Sequence, residues 1–171
     1  VLLLEGGGQL RLSSLPKVPA DIAADRPIVR LVQPNAPQHQ KWDPAMIPVF
    51  FERAEAATAA PAEMPPALIV WPETALPTFL DMADNARTRI RAAAGDAEVV
   101  VGTLRRDGTG IYNSLAVIGP DGSASQTYDK HHLVPFGEFI PLERFAQRIG
   151  LGALAAQGGA LTAGPGPQLI D

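Results

Sequence analysis

The sequence contains no cysteine. Disulfides and thiolate metal sites are therefore excluded within the chain, and the commonest thiol nucleophile is missing from it. Aromatic residues are scarce at 6%, so a core must come from aliphatic strands and alanine-rich helices rather than stacked rings. There is no block of Lys or Arg, and the formal net charge is -4. A nucleic-acid surface needs a clustered basic stripe, so that class of partner is set aside. No apolar run approaches the roughly 18–20 residues that span a bilayer. Val1 to Leu4 is a short apolar start without the basic and hydrophobic regions of a signal peptide. Because the chain opens on Val, both ends read as cuts, with room upstream for a membrane segment.

What is present suits a globular domain or a large part of one. Hydrophobic residues make up 46% and charged residues 19% of 171, enough to bury a core and too little charge for wholesale disorder. Residues 1–26 are rich in Gly, Ser and Pro, including Gly6-Gly7-Gly8 and Ser13-Ser14, and read as a linker or loose hairpin. The triple glycine lacks the Lys-Ser/Thr and following helix of a phosphate cradle.

From residue 27 to 171 the pattern is that of one folded domain. Ile28 to Gln33 is a β-branched strand stopped by Pro34-Asn35. Asp43-Pro44 offers a helix cap followed by Pro at the first helical position, predicting a helix to about Ala60. Leu68 to Trp71 is a second strand, ended by Pro72. Leu80 to Ala94 has helical spacing, closed by Gly95. Strands follow at Glu98–Thr103, Tyr112–Ile118 and Ser125–Tyr128, separated by Asp107-Gly108 and Asp121-Gly122 turns. The order β-α-β-α-β and then hairpins predicts an α/β or α+β domain, a mixed sheet with helices on one face. After Ala155 the chain turns Gly- and Pro-rich, and Leu169-Ile170-Asp171 reads as the start of a further strand.

Two segments carry ionisable groups where chemistry can use them. In Trp71-Pro72-Glu73-Thr74 an acidic residue lies directly past an apolar strand, where α/β sheets place ligands. By position alone Glu73 better suits a solvated loop or a helix cap. The second segment, Tyr128-Asp129-Lys130-His131-His132-Leu133-Val134-Pro135-Phe136-Gly137-Glu138-Phe139-Ile140-Pro141, cannot be a regular helix or a central strand. It must be an ordered loop, and such loops often carry function; as an exposed pair, Lys130 and Glu138 would contribute little. His131 and His132 are adjacent, so in an extended segment their rings diverge, and no metal-ligand spacing exists. Ser114 and Ser123 lack a Gly-x-Ser-x-Gly frame.

In this order the two motifs resemble the nitrilase superfamily, whose enzymes use a Glu-Lys-Cys triad. Lys130 to Pro141 is similar in particular to the apolipoprotein N-acyltransferases, as are Gln33-Pro34-Asn35 and Gln40-Lys41-Trp42-Asp43. The likeness runs from about Ile28 to Leu142. It implies a nitrilase-like α-β-β-α sandwich, incomplete at its C-terminus. It implies Glu73 as general base, Lys130 as catalytic lysine, Glu138 as a second acidic residue beside them, and Trp42 at a lipid-facing entrance. By residue type alone Trp42 equally suits packing on the first helix. Tyr112-Asn113-Ser114 matches a hairpin that supports the Glu73 side.

The chemistry implied is acyl transfer from a phospholipid, through a cysteine thioester, to the α-amine of a lipoprotein's diacylglyceryl-cysteine. Neither a cofactor nor a metal is called for. The resemblance places such an enzyme in the bacterial inner membrane, with its catalytic domain on the periplasmic side. The departure is the missing nucleophile, read here as truncation before it; a piece so cut would be inactive alone. The alternatives are a soluble nitrilase-type amidase and a non-catalytic remnant that binds lipid or a partner.

Overall fold

The computed structural model describes residues 26–135, 137–139 and 161–170, together with Gln9, Arg11, Ser13 and Ser14. The linker or hairpin expected over 1–26 lies almost wholly outside the described residues.

Five strands form one sheet: β1 (Val29–Leu31), β2 (Leu68–Val70), β3 (Glu98–Asp107), β4 (Gly110–Ile118) and β5 (Ala124–Asp129). They lie in chain order, β1 to β3 parallel and β3 to β5 antiparallel. Parallel neighbours need a crossover, and two helices supply it: α1 (Ile47–Ala59) before β2 and α2 (Asp84–Ala94) before β3. The antiparallel strands are joined by tight turns instead.

The register assigns each side chain to a face. Ile69 pairs with Val99, Val99 with Ile118, and Val101 with Ala116. These residues are fully buried and share one core with Phe51 and Ala54 of α1 and Ala86, Ile90 and Ala94 of α2. Both helices thus cover one face of a mixed sheet, as the sequence pattern predicts. The other face carries Val70, Val100, Gly102, Leu115, Asn113 and Tyr128.

Trp71 fixes α1 against the end of β2. Its ring meets Phe51 edge-on at 5.5 Å between centroids. The indole Nε1 donates to Thr58 Oγ1 at 2.8 Å, and that hydroxyl donates to Ala54 O at 2.8 Å. The indole N–H and the Thr58 hydroxyl are both paired, so their hydrogen bonds offset the cost of burying them. The guanidinium of Arg30 on β1 donates to the Ala57 and Thr58 carbonyls, which satisfies the end of α1.

Several boundaries differ from the sequence reading: β1 is shorter than expected, and β3 runs on past Thr103 to Asp107 with β4 starting at Gly110. Helix α1 starts at Ile47, not at Pro44. A helix begun at Pro44 would hold Pro48 in its interior, where proline removes a hydrogen bond and clashes; in the first turn it does neither. Asp43 instead closes a turn, its Oδ1 accepting from Ala45 N at 2.9 Å. The second helical region divides into a short 3-10 turn, Leu80–Met82, and α2, broken at Ala83, whose ψ is 16°. Leu169 and Ile170 form no strand, and Leu169 is 92% exposed. Gly95 ends α2 with φ +62°, as expected.

Candidate active site

Glu73 follows β2 at the carboxyl end of the parallel strands. Trp71 N still donates to Val100 O at 2.8 Å, after which Pro72 ends the ladder. The chain then crosses over β3 and is held there by Ala75 N and Leu76 N, which both donate to Gly102 O. The crossing is possible only because residue 102 is glycine. A Cβ there would lie 2.5 Å from Pro72 O and 2.6 Å from Glu73 Cα and Thr74 N. Thr74 takes φ +50°, a conformation rare outside glycine, and the loop over-determines it. Lys41 adds a third restraint, donating from Nζ to Glu73 O at 3.1 Å.

Lys130 follows directly on β5, and its N–H donates to Asn113 O of β4 at 2.8 Å. Its ammonium reaches Glu138 Oε1 at 2.9 Å and Glu73 Oε1 at 3.2 Å. The Asn113 amide nitrogen donates to the same two oxygens, Glu73 Oε1 and, at 3.0 Å, Glu138 Oε1. Glu138 Oε2 accepts from Val134 N at 2.7 Å. Glu73, distant in sequence, thus meets Lys130 and Glu138 at one point.

The three differ in exposure, with 58% for the Glu73 side chain, 31% for Lys130 and 15% for Glu138. Burial alone would lower the Lys130 pKa, but the hydrogen bonds it donates to Glu138 and Glu73 outweigh it and hold the ammonium above its ordinary value. Burial alone would likewise raise Glu138. The Val134 amide, Lys130 and Asn113 outweigh it and hold that carboxyl below its ordinary value. The site therefore keeps a fixed positive charge beside an ionised, half-buried carboxylate.

Two hollows meet at Glu73. One, of about 180 Å³, has Phe50, Phe51, Ala54 and Leu76 in its walls and Lys41 and Trp42 also lining it. The other, of about 300 Å³, lies on the sheet face away from the helices, with Val100, Leu115, Asn113 and Lys130 in its wall. Trp42 therefore shares a hollow with Glu73 but not with Lys130. Its ring is 56% exposed and lies 5.2 Å below the Lys41 ammonium. Among the described residues no group of three His, Asp or Glu is arranged to hold a metal, and no helix is long and apolar enough to cross a membrane.

The carbon-nitrogen hydrolase family model matches residues 28–150. The chain belongs to the carbon-nitrogen hydrolase family. Among curated proteins it is 37% identical over 162 residues to the apolipoprotein N-acyltransferase of Brucella suis biovar 1 (strain 1330), covering 88% of this chain and 30% of that protein. It is 40% identical over 161 residues to the enzyme of the same name from Sinorhizobium fredii (strain NBRC 101917 / NGR234), with the same coverages. The chain thus spans about 30% of the length of these relatives. Among solved structures it is similar to a CN-hydrolase superfamily protein from Xanthomonas campestris. The TM-score is 0.48 at 23% identity, covering 84% of this chain and 48% of that one.

For a carbon-nitrogen hydrolase chain, the arrangement offers a proton acceptor at the mouth of a cleft and a cation beside it. The sequence named Glu73, Lys130 and Glu138, but it left Asn113 as scaffold only, although its amide touches both carboxylates. The signal was present: a polar amide within a strand that runs on into the aliphatic Leu115–Ile118 demands a partner if buried. A second omission is Asp129, which Arg105 and Ser114 hold from the helix-covered face, next in sequence to Lys130.

Proposed function

We propose that this chain is part of an apolipoprotein N-acyltransferase, supplying two of three triad residues while a cysteine outside the sequence given supplies the third. Supporting this reading is the convergence of Lys130 Nζ on Glu73 and Glu138 at 3.2 and 2.9 Å, in a family member whose relatives bear that name.

Glu73 is the general base. Its Oε1 is occupied by Lys130 and Asn113, and Oε2, bonded to none of the described residues, accepts the thiol proton. The thiolate attacks the ester carbonyl of a phospholipid. The oxyanion that forms lies near the Lys130 ammonium, a fixed charge that needs no reorganisation as the reaction proceeds. Collapse breaks the C–O bond, and protonated Glu73 returns its proton to the departing lysophospholipid alkoxide. The α-amine of a diacylglyceryl-cysteine then attacks the thioester, Glu73 takes an amine proton, and the thiolate leaves with the amide formed. Glu138 keeps Lys130 charged and in place. The apolar hollow lined by Trp42 receives lipid. The acyl donor and lipoprotein acceptor are met at the periplasmic side of the inner membrane, to which segments outside this sequence anchor the domain.

Glu73→Gln and Lys130→Met in the full-length enzyme test the reading. Each is expected to abolish thioester formation and acyl transfer from phospholipid. Acylation at normal rates by both variants overturns the assignment. Release of ammonia from small amides, with no turnover of phospholipid, replaces it with an amidase.

A further inference from the structure

Two carboxylates share one ammonium at this site. Glu73 Oε1 and Glu138 Oε1 both lie within 3.2 Å of Lys130 Nζ, so one positive charge faces two negative ones. Two carboxylates this close repel each other, and a single ammonium offsets only part of that repulsion. The site therefore needs a second donor that stabilises ionised carboxylates without adding a charge.

Asn113 has the required valence and position. Its amide nitrogen carries two N–H bonds, and it has two acceptors, Glu73 Oε1 and Glu138 Oε1. The residue is 6% exposed on β4, between Leu104 of β3 and Lys130, its backbone carbonyl holding the Lys130 N–H at 2.8 Å. The opposite amide rotamer would set Oδ1 against two carboxylate oxygens, so the bonding pattern fixes its orientation. An aspartate of the same shape would add a third negative charge, and a leucine would offer no donor.

We propose that Asn113 is a positioning residue for the base, splitting its two amide N–H bonds between Glu73 and Glu138 so that both carboxylates are held around one lysine. The proposal rests on the reading of Glu73 as general base. The other ionisable groups facing Glu73 are Lys130, Glu138, the Lys41 ammonium on its backbone carbonyl and the Tyr128 phenol in the shared hollow. None of these supplies a neutral donor to both carboxylates.

The test is the pH profile of kcat/KM for phospholipid in the full-length enzyme. The Asn113 amide is among the donors that hold Glu138 below its ordinary value, and removing a hydrogen bond donated to a carboxylate favours its protonated form, so Asn113→Ala is expected to move the acid limb upward. The rate on the alkaline plateau should fall less than the rate at low pH. Asn113→Asp keeps the shape of the side chain, so it decides the matter if the alanine variant does not accumulate. It is expected to move the limb at least as far. A limb unmoved in Asn113→Asp, or activity lost equally at every pH, overturns the proposal. Glu73→Gln run alongside separates the two failures: if it stays active, the base itself is misassigned. If it is inactive while the Asn113 variants keep the parent profile, only the role of Asn113 falls.

Discussion

Arg105 grips Asp129 with two bonds, Nε to Oδ1 at 3.1 Å and a terminal guanidinium nitrogen to Oδ2 at 2.6 Å, across the antiparallel strands β3, β4 and β5. Ser114 of the intervening strand donates to the same carboxylate at 2.6 Å. All three strands are tied at the level where β5 gives way to Lys130. The pair lies on the helix-covered face and the site on the other, so the grip holds the lysine's backbone without touching its ammonium.

Burial alone would raise the Asp129 pKa, but Arg105 and Ser114 outweigh it and hold the carboxyl below its ordinary value. A carboxyl with a lower pKa in the folded chain stabilises fully above its unfolded value. That contribution fades as pH falls through the folded value. Asp129→Asn should therefore cost about 2 kcal/mol at pH 7. The gap from the parent should begin to narrow as pH falls below about 4, the ordinary carboxyl value, and close only below the lowered value of the folded chain, where the parent also loses the charge. Thermal unfolding of both proteins across that range is the check, and a gap independent of pH would contradict it.

Gly102→Ala should damage activity more than stability. Its Cβ would meet three backbone atoms of the Pro72–Thr74 crossing, so Glu73 must move. A displacement of this kind costs about a hundredfold in rate in well-aligned sites, with about 1–3 kcal/mol of overpacking. Parallel measurement of kcat in the full-length enzyme and of the unfolding midpoint separates the two effects.

Thr58→Val removes the acceptor for the Trp71 indole while keeping the volume. An unpaired N–H then remains in a residue only 3% exposed, at a cost of about 1–3 kcal/mol. Denaturant unfolding reads this directly. Thr58→Ser, which keeps the hydroxyl, should recover most of the loss.

Trp42→Ala should raise KM for phospholipid in the full-length enzyme and leave folding alone, since the ring is mostly exposed. Unchanged kinetics on phospholipid would remove Trp42 from the lipid path.

Much of the sheet was legible because its strands are aliphatic runs bounded by Pro and Gly, and the turn residues separate the antiparallel strands plainly. The start of α1 was misread because Asp43-Pro44 satisfies the local rule, and only Pro48, four residues on, forbids it. Glu73 and Lys130 were named from motif and family likeness, since nothing local brings residues so distant together. Asn113 lay within the matched hairpin, yet its role depends on register: pairing with Leu104 puts it on the open face, and a one-residue slip would turn it toward the helices. Arg105 carried no local signal at all. Its partner is fixed by β3, β4 and β5 aligning.

The segment around Gly164 returns to the site from far along the chain. Gly164 N donates to Lys130 O at 3.0 Å, Leu161 N to Glu138 O and Thr162 N to Ile111 O, each at 2.8 Å or less. A Cβ on Gly164 would come within 2.2 Å of Asp129 O, so the strap lies flush against the backbone there. Lys130 and Glu138 thus take backbone partners from a strap far along the chain, so the placement of both site residues depends on residues well beyond the loop that carries them.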